Sequence, residues 1–136
     1  MNFKETLKNE ALSIGVSLDD TALDRFEIYY KMLIDYNERM NLTAITEEKE
    51  VIVKHFCDSL YLISKVSVKE GASIIDVGTG AGFPGIPLLI ARPDLKVTLL
   101  DGLNKRLVFL RDVLDTINLQ AEIIHSRAEE GAHEEG

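Results

Sequence analysis

The chain has 136 residues, 46% of them hydrophobic and 28% charged, with a formal net charge of −8 from 15 basic and 23 acidic residues. No apolar run approaches the roughly 18 residues of a membrane-spanning helix, and a single cysteine, Cys57, excludes an internal disulfide and a cysteine-based metal site. The acidic balance, shared evenly between residues 1–70 and 71–136, argues against nucleic-acid binding by bulk charge. A local basic patch is still compatible with it, because phosphates are felt only within a Debye length, about 8–10 Å. The N-terminus, MNFKETLKNE, mixes both charges without an apolar core and does not read as a signal peptide. With the lone cysteine, this points to the cytoplasm.

Residues 2–16 carry Phe3, Leu7, Ala11 and Ile14 at helical spacing, and Gly15 ends the stripe. Ser17 starts a second helix with Asp19 and Asp20 in its first turn. Its inward face is expected to be Leu23, Phe26, Tyr30, Leu33 and Asn37, widened by Ala22, Tyr29, Ile34, Tyr36 and Met40. These aromatics read as packing residues rather than a base-stacking platform. Thr46, followed by Glu47, Glu48 and Glu50, is the expected N-cap of a third helix running to about Lys65. Its apolar-rich face takes in Val51, Ile52, His55, Phe56, Ser59, Leu60 and Ile63. Residues 1–70 therefore read as an N-terminal helical unit.

From Ser73 the period changes. A strand over 73–77 carries Asp76 near its end and enters a turn containing Gly78, Gly80, Gly82 and Gly85. A short buried helix around Leu88–Ala91 follows, stopped by Pro93. A second strand, 96–100, ends on Asp101, and a helix over 104–117 leads to a third strand at about 121–125. The order β-α-β-α-β predicts the first half of a doubly wound parallel sheet, spanning residues 71–136. No fourth strand follows in the acidic tail after Ser126, so the open sheet edge is expected to support self-association, and the chain reads as a piece of a longer protein.

The turn admits two readings. Gly80-Ala-Gly82-Phe-Pro-Gly85 matches the dinucleotide pattern G-x-G-x-x-G, with Asp101 about 20 residues on, as an NAD(P)-binding oxidoreductase requires. Read from Asp76, the pattern is D-x-G-x-G-x-G, the form expected for S-adenosylmethionine (SAM). Charge separates them. A pyrophosphate beside Asp76 meets a like charge, whereas the sulfonium and ammonium of SAM are attracted. Such a contact at about 4 Å is worth roughly 4 kcal/mol at an effective dielectric near 20, before desolvation. Asp101 can accept both ribose hydroxyls of an adenosine, and Glu129, beyond the third strand, can meet the adenine edge. Ligands of open α/β sheets bind at these carboxyl ends. A third reading is a non-catalytic nucleotide-binding fragment.

Tyr36-Asn37, Asn41-Leu-Thr43, His55-Phe-Cys-Asp58-Ser-Leu60, Asp76 through Pro87 (DVGTGAGFPGIP), Leu100-Asp101, Lys105-Arg106, Phe109-Leu110 and Ser126-Arg-Ala-Glu129 together resemble the bacterial small-subunit ribosomal RNA methyltransferase G family, also called glucose-inhibited division protein B. The resemblance implies a Rossmann-like enzyme that transfers a methyl group from SAM to N7 of a guanine in 16S rRNA. It puts SAM contacts at Gly78, Phe83, Ala128 and Glu129, which join Asp76, Gly80 and Asp101. It also implies four further strands, so little activity is expected from these residues alone.

Guanine N7 carries a lone pair and no proton, so no general base is required. Accordingly no nucleophilic dyad stands out, and Cys57 reads as a buried small hydrophobe. His55 and Asp58, three residues apart, read as a hydrogen-bonded dock of the helical unit on the turn, or as contacts to the target nucleotide. Arg39, Lys54, Lys105, Arg106 and Arg111 are the candidate contacts to RNA phosphates. His125 and His133 have no metal-ligand company, and no metal is expected.

Overall fold

The computed structural model describes residues 1–126. Helices α1 (Phe3–Ser13) and α2 (Asp20–Met40) come first. A continuous helical stretch follows, with α3 (Glu48–Glu50), a π-helical segment (Val51–Cys57) and α4 (Asp58–Lys65). Then come β1 (Ser73–Val77), α5 (Gly85–Ala91), β2 (Lys96–Asp101), α6 (Asn104–Ile117) and β3 (Glu122–His125). The strands form one parallel sheet in the order β1-β2-β3, with Asp76 beside Leu99 and Asp101 beside His125. This is a Rossmann-like parallel half-sheet preceded by helices.

Local chemistry sets the helix ends. Asn2 caps α1 by accepting the Glu5 N–H at 2.9 Å, and Gly15 turns the chain at φ +83°. The cap of α2 is Asp19, which accepts the Ala22 N–H at 2.8 Å; the helix therefore starts later than Ser17. Its inward face holds Tyr29, fully buried, in place of Tyr30, which stacks on Phe3 near the surface at 5.2 Å. The cap of the third helical stretch is Glu47 rather than Thr46, with its carboxylate accepting the Lys49 and Glu50 amides.

Helices α5 and α6 cover one face of the sheet. On that face Asp76, Val97, Leu99 and Asp101 are buried. Helix α2 packs on both crossover helices and α4 packs on α5, so the helical unit and the sheet share one hydrophobic core. Among the described residues the other face carries no helix. Ile75 and Val77 there are 64% and 53% exposed, so the opening is a face as well as an edge.

Candidate functional site

The site grows from the turn between β1 and α5. Gly78, Gly80 and Gly82 have φ of +68°, +59° and +100°, a region that side chains with a Cβ enter at a cost. Thr79 N–H donates to the Leu100 carbonyl at 3.0 Å, and Gly82 and Phe83 N–H donate to the Thr79 carbonyl at 2.9 and 3.2 Å. Gly80 N–H donates to Asp101 Oδ2 at 2.8 Å, and Gly85 N–H to Asp76 Oδ2 at 2.9 Å. Ile86 N–H closes onto the Gly82 carbonyl at 2.8 Å. From Thr79 to Ile86, proline apart, only Ala81 N–H lacks such an acceptor among the described residues. A phosphate-binding turn keeps several amides aimed at the ligand. This turn has spent most of them on the protein, with Gly78 and Ala81 N–H the exceptions among the described residues.

Two carboxylates lie beneath it. Asp76 is 8% exposed, and its Oδ2 also accepts the Thr79 hydroxyl at 2.6 Å. Burial holds its pKa above the ordinary carboxylate value; the Thr79 and Gly85 hydrogen bonds pull it down, and the nearby Asp101 charge pushes it up. Asp101 is 2% exposed. Besides Gly80 N–H it accepts Leu103 N–H at 3.0 Å and faces Arg106 Nη1 at 3.4 Å, both on Oδ1. A carboxylate offers about four lone-pair sites, so Asp101 already clasps the turn to the start of α6. Accepting two ribose hydroxyls would require Arg106 to swing away.

Phe83 joins the turn to the helical unit. The His55 ring stacks on it, with centroids 4.3 Å apart and planes at 12°. His55 Nε2 and Thr43 Oγ1 share a hydrogen bond at 2.8 Å, and Thr43 N–H donates to Asn37 Oδ1 at 2.8 Å. Asn41, at φ +53°, ends α2 in the left-handed conformation and turns the chain toward this contact. The link to the turn is thus a ring stack, where sequence reasoning expected a hydrogen bond. Asp58 is exposed and lines a shallow depression with Lys54, His55, Leu62, Phe83 and Pro84.

The candidate RNA contacts are spread over three elements, α2, the π-helical segment and α6. Lys105 and Arg106 open α6 beside Asp101, and Lys54 stands on the depression near Phe83. Arg39 and Arg111 lie along α2 and α6, which Tyr36 joins by donating to Asp112 at 2.5 Å. Arg39 pairs with Asp35 and Lys54 with Glu50. Ala128 and Glu129 fall outside the described residues.

Sequence reasoning missed Thr79 and Tyr29. A hydroxyl three residues after Asp76, in a turn of glycines, is a readable signal for Thr79. Tyr29 carries none, since its partner is a carbonyl 52 residues away.

A parallel half-sheet with buried carboxylates at its first two strand ends defines the class: a Rossmann-like domain of the kind that takes its ligand at the carboxyl ends of its strands. The sequence profile described as "GidB: rRNA small subunit methyltransferase G" matches residues 22–136, and the chain belongs to that family. It is similar to the ribosomal RNA small subunit methyltransferase G of Lachnoclostridium phytofermentans, 55% identical over 121 residues that cover 88% of this chain and 50% of that protein. The protein of the same name from Alkaliphilus metalliredigens is 50% identical over 136 residues, covering 99% and 57%. That of Clostridium perfringens strain SM101 is 44% identical over 133 residues, covering 97% and 56%. The chain spans about half the length of the curated relatives it matches.

Proposed function

We propose that this chain is the cofactor-binding half of a methyltransferase that takes its methyl group from SAM and delivers it to N7 of a guanine in 16S ribosomal RNA. The observation that carries the reading is the pairing of a turn most of whose amides are satisfied within the protein with two buried carboxylates beneath it. That donor set fits a cationic, phosphate-free cofactor and opposes a dinucleotide. The names of the relatives support methyl transfer to small-subunit ribosomal RNA.

When bound, SAM supplies an electrophilic methyl group on a sulfonium. The residues of this chain bind and orient. Asp76 gives the field that favours a positive ligand, Gly78, Gly80 and Phe83 form the wall of the turn, and Asp101, with Ala128 and Glu129, receives the adenosine. His55 holds Phe83 against the helical unit, and Asp58 stands at the rim where a target nucleotide would approach. No residue is needed to remove a proton. Lys105 and Arg111 make no ion pair among the described residues and are the phosphate contacts we favour over Arg39, Lys54 and Arg106. Their role is measurable as a shallower dependence of RNA affinity on salt after Lys105→Ala.

Calorimetric titration with SAM and with NAD tests the cofactor assignment: SAM is expected to bind and NAD to give no heat. Methyl transfer to small subunits lacking the modification tests the substrate. These residues alone are expected to turn over little, and transfer by the longer relatives but to a different base would contradict the guanine assignment. A soluble cytoplasmic enzyme is the setting that this substrate implies.

A further inference from the structure

We infer that Tyr29, on α2, is a positioning residue for the cofactor turn: its hydroxyl sets the conformation of the Ala81–Gly82 peptide and through it the affinity for SAM. The affinity part rests on the cofactor reading above. Tyr29 is fully buried, and its hydroxyl donates to the Ala81 carbonyl at 2.5 Å. The ring is held by Phe56 at 5.4 Å, Phe83 at 5.8 Å and Phe109 at 6.5 Å between centroids. Phe56 and Phe109, both outside the turn, fix the tyrosine.

The turn is shaped around that hydroxyl. A Cβ on Gly82 would come within 2.7 Å of Tyr29 Oη and of Ile86 Cδ1, so residue 82 is without a side chain where the hydroxyl arrives. The Ala81–Gly82 peptide is held at both ends, its carbonyl by Tyr29 and its N–H by the Thr79 carbonyl. Gly82 sits at φ +100°, where glycine allows the peptide plane to rotate. Without the hydroxyl, the buried carbonyl has no partner, a state that drives rotation toward water. Rotation would carry the N–H away from Thr79 and disturb Phe83, part of the proposed cofactor wall, whose own N–H shares that Thr79 carbonyl. An N-terminal helix thus determines the shape of a turn 52 residues away.

Tyr29→Phe removes only the hydroxyl and keeps the ring. It is compared with Ile117→Val, a core variant at the far end of α6. In the ligand-free chain, amide hydrogen exchange at Gly82 and Phe83 is expected to quicken about ten-fold or more in Tyr29→Phe, with the β2 amides unchanged. SAM affinity is expected to fall about ten-fold in Tyr29→Phe and to hold in the control. Unaltered exchange at Gly82 and Phe83 overturns the proposal. So does SAM binding that is unchanged in Tyr29→Phe, or equally weakened in Ile117→Val. Should the unmodified chain take up no SAM, the cofactor reading fails, and the exchange measurement still decides whether Tyr29 holds the turn.

Discussion

Asp76 combines burial with a charge that two hydrogen bonds only partly compensate. A carboxyl whose folded pKa is raised contributes stability present below its ordinary value, 3.8, and lost as pH rises through the folded value. At neutral pH it therefore works against the ligand-free fold, as expected of a group arranged for a cation. Asp76→Asn keeps an acceptor for Thr79 and Gly85 and removes the charge. The Tm at pH 7 should hold or rise while SAM affinity falls at least ten-fold; a lower Tm with SAM binding intact would contradict this role. His55 has the opposite linkage. Burial lowers its pKa below 6.5 against the smaller pull of Asp58, so its stability is present above 6.5 and lost as pH falls through the folded value. Denaturation midpoints should drop between pH 7 and 5, and His55→Gln should flatten that slope. Cys57, its thiol pushed up to about 11 chiefly by burial, should resist alkylation at pH 8 until the chain is unfolded.

The turn and the helix it feeds form a close-packed element. A Cβ on Gly85 would run into the Leu99 side chain and come within 3.0 Å of Asp76 Oδ2. Gly85→Ala should cost about 1–3 kcal/mol, read as a lower Tm by circular dichroism; an unchanged Tm would mean that α5 is free to lift from the sheet. Elements of this half were legible in the sequence because glycines and prolines punctuate them. The strand at 73–77 and the helix at 104–117 have the bounds that spacing predicts. Less was legible among the helices. Tyr29 and Tyr30 are adjacent on a broad apolar stripe, and only packing against Phe56 and Phe83 selects Tyr29. The π-helical geometry around His55 has no signal in the sequence, although the face read for that stretch, with Val51, Ile52, Phe56, Ser59 and Leu60, is the buried one. The clasp made by Asp101 depends on a turn amide 21 residues away, a contact no local pattern announces.

At the scale of the molecule, one core joins the helical unit to the half-sheet, so removing residues 1–70 would expose the outer sides of α5 and α6 and take away Arg39 and Lys54. The opposite face exposes Ile75 and Val77 on β1, an opening of the kind that drives association. Sedimentation should show self-association rising with concentration, and Ile75→Lys should suppress it; a monomer at all concentrations would contradict this expectation. In the proposed function, the turn and its carboxylates select the ligand by charge. Calorimetry of the chain with SAM and, separately, with NAD tests this selection most directly. Measurable heat with SAM and none with NAD is the predicted result; saturable NAD binding without a response to SAM would contradict it.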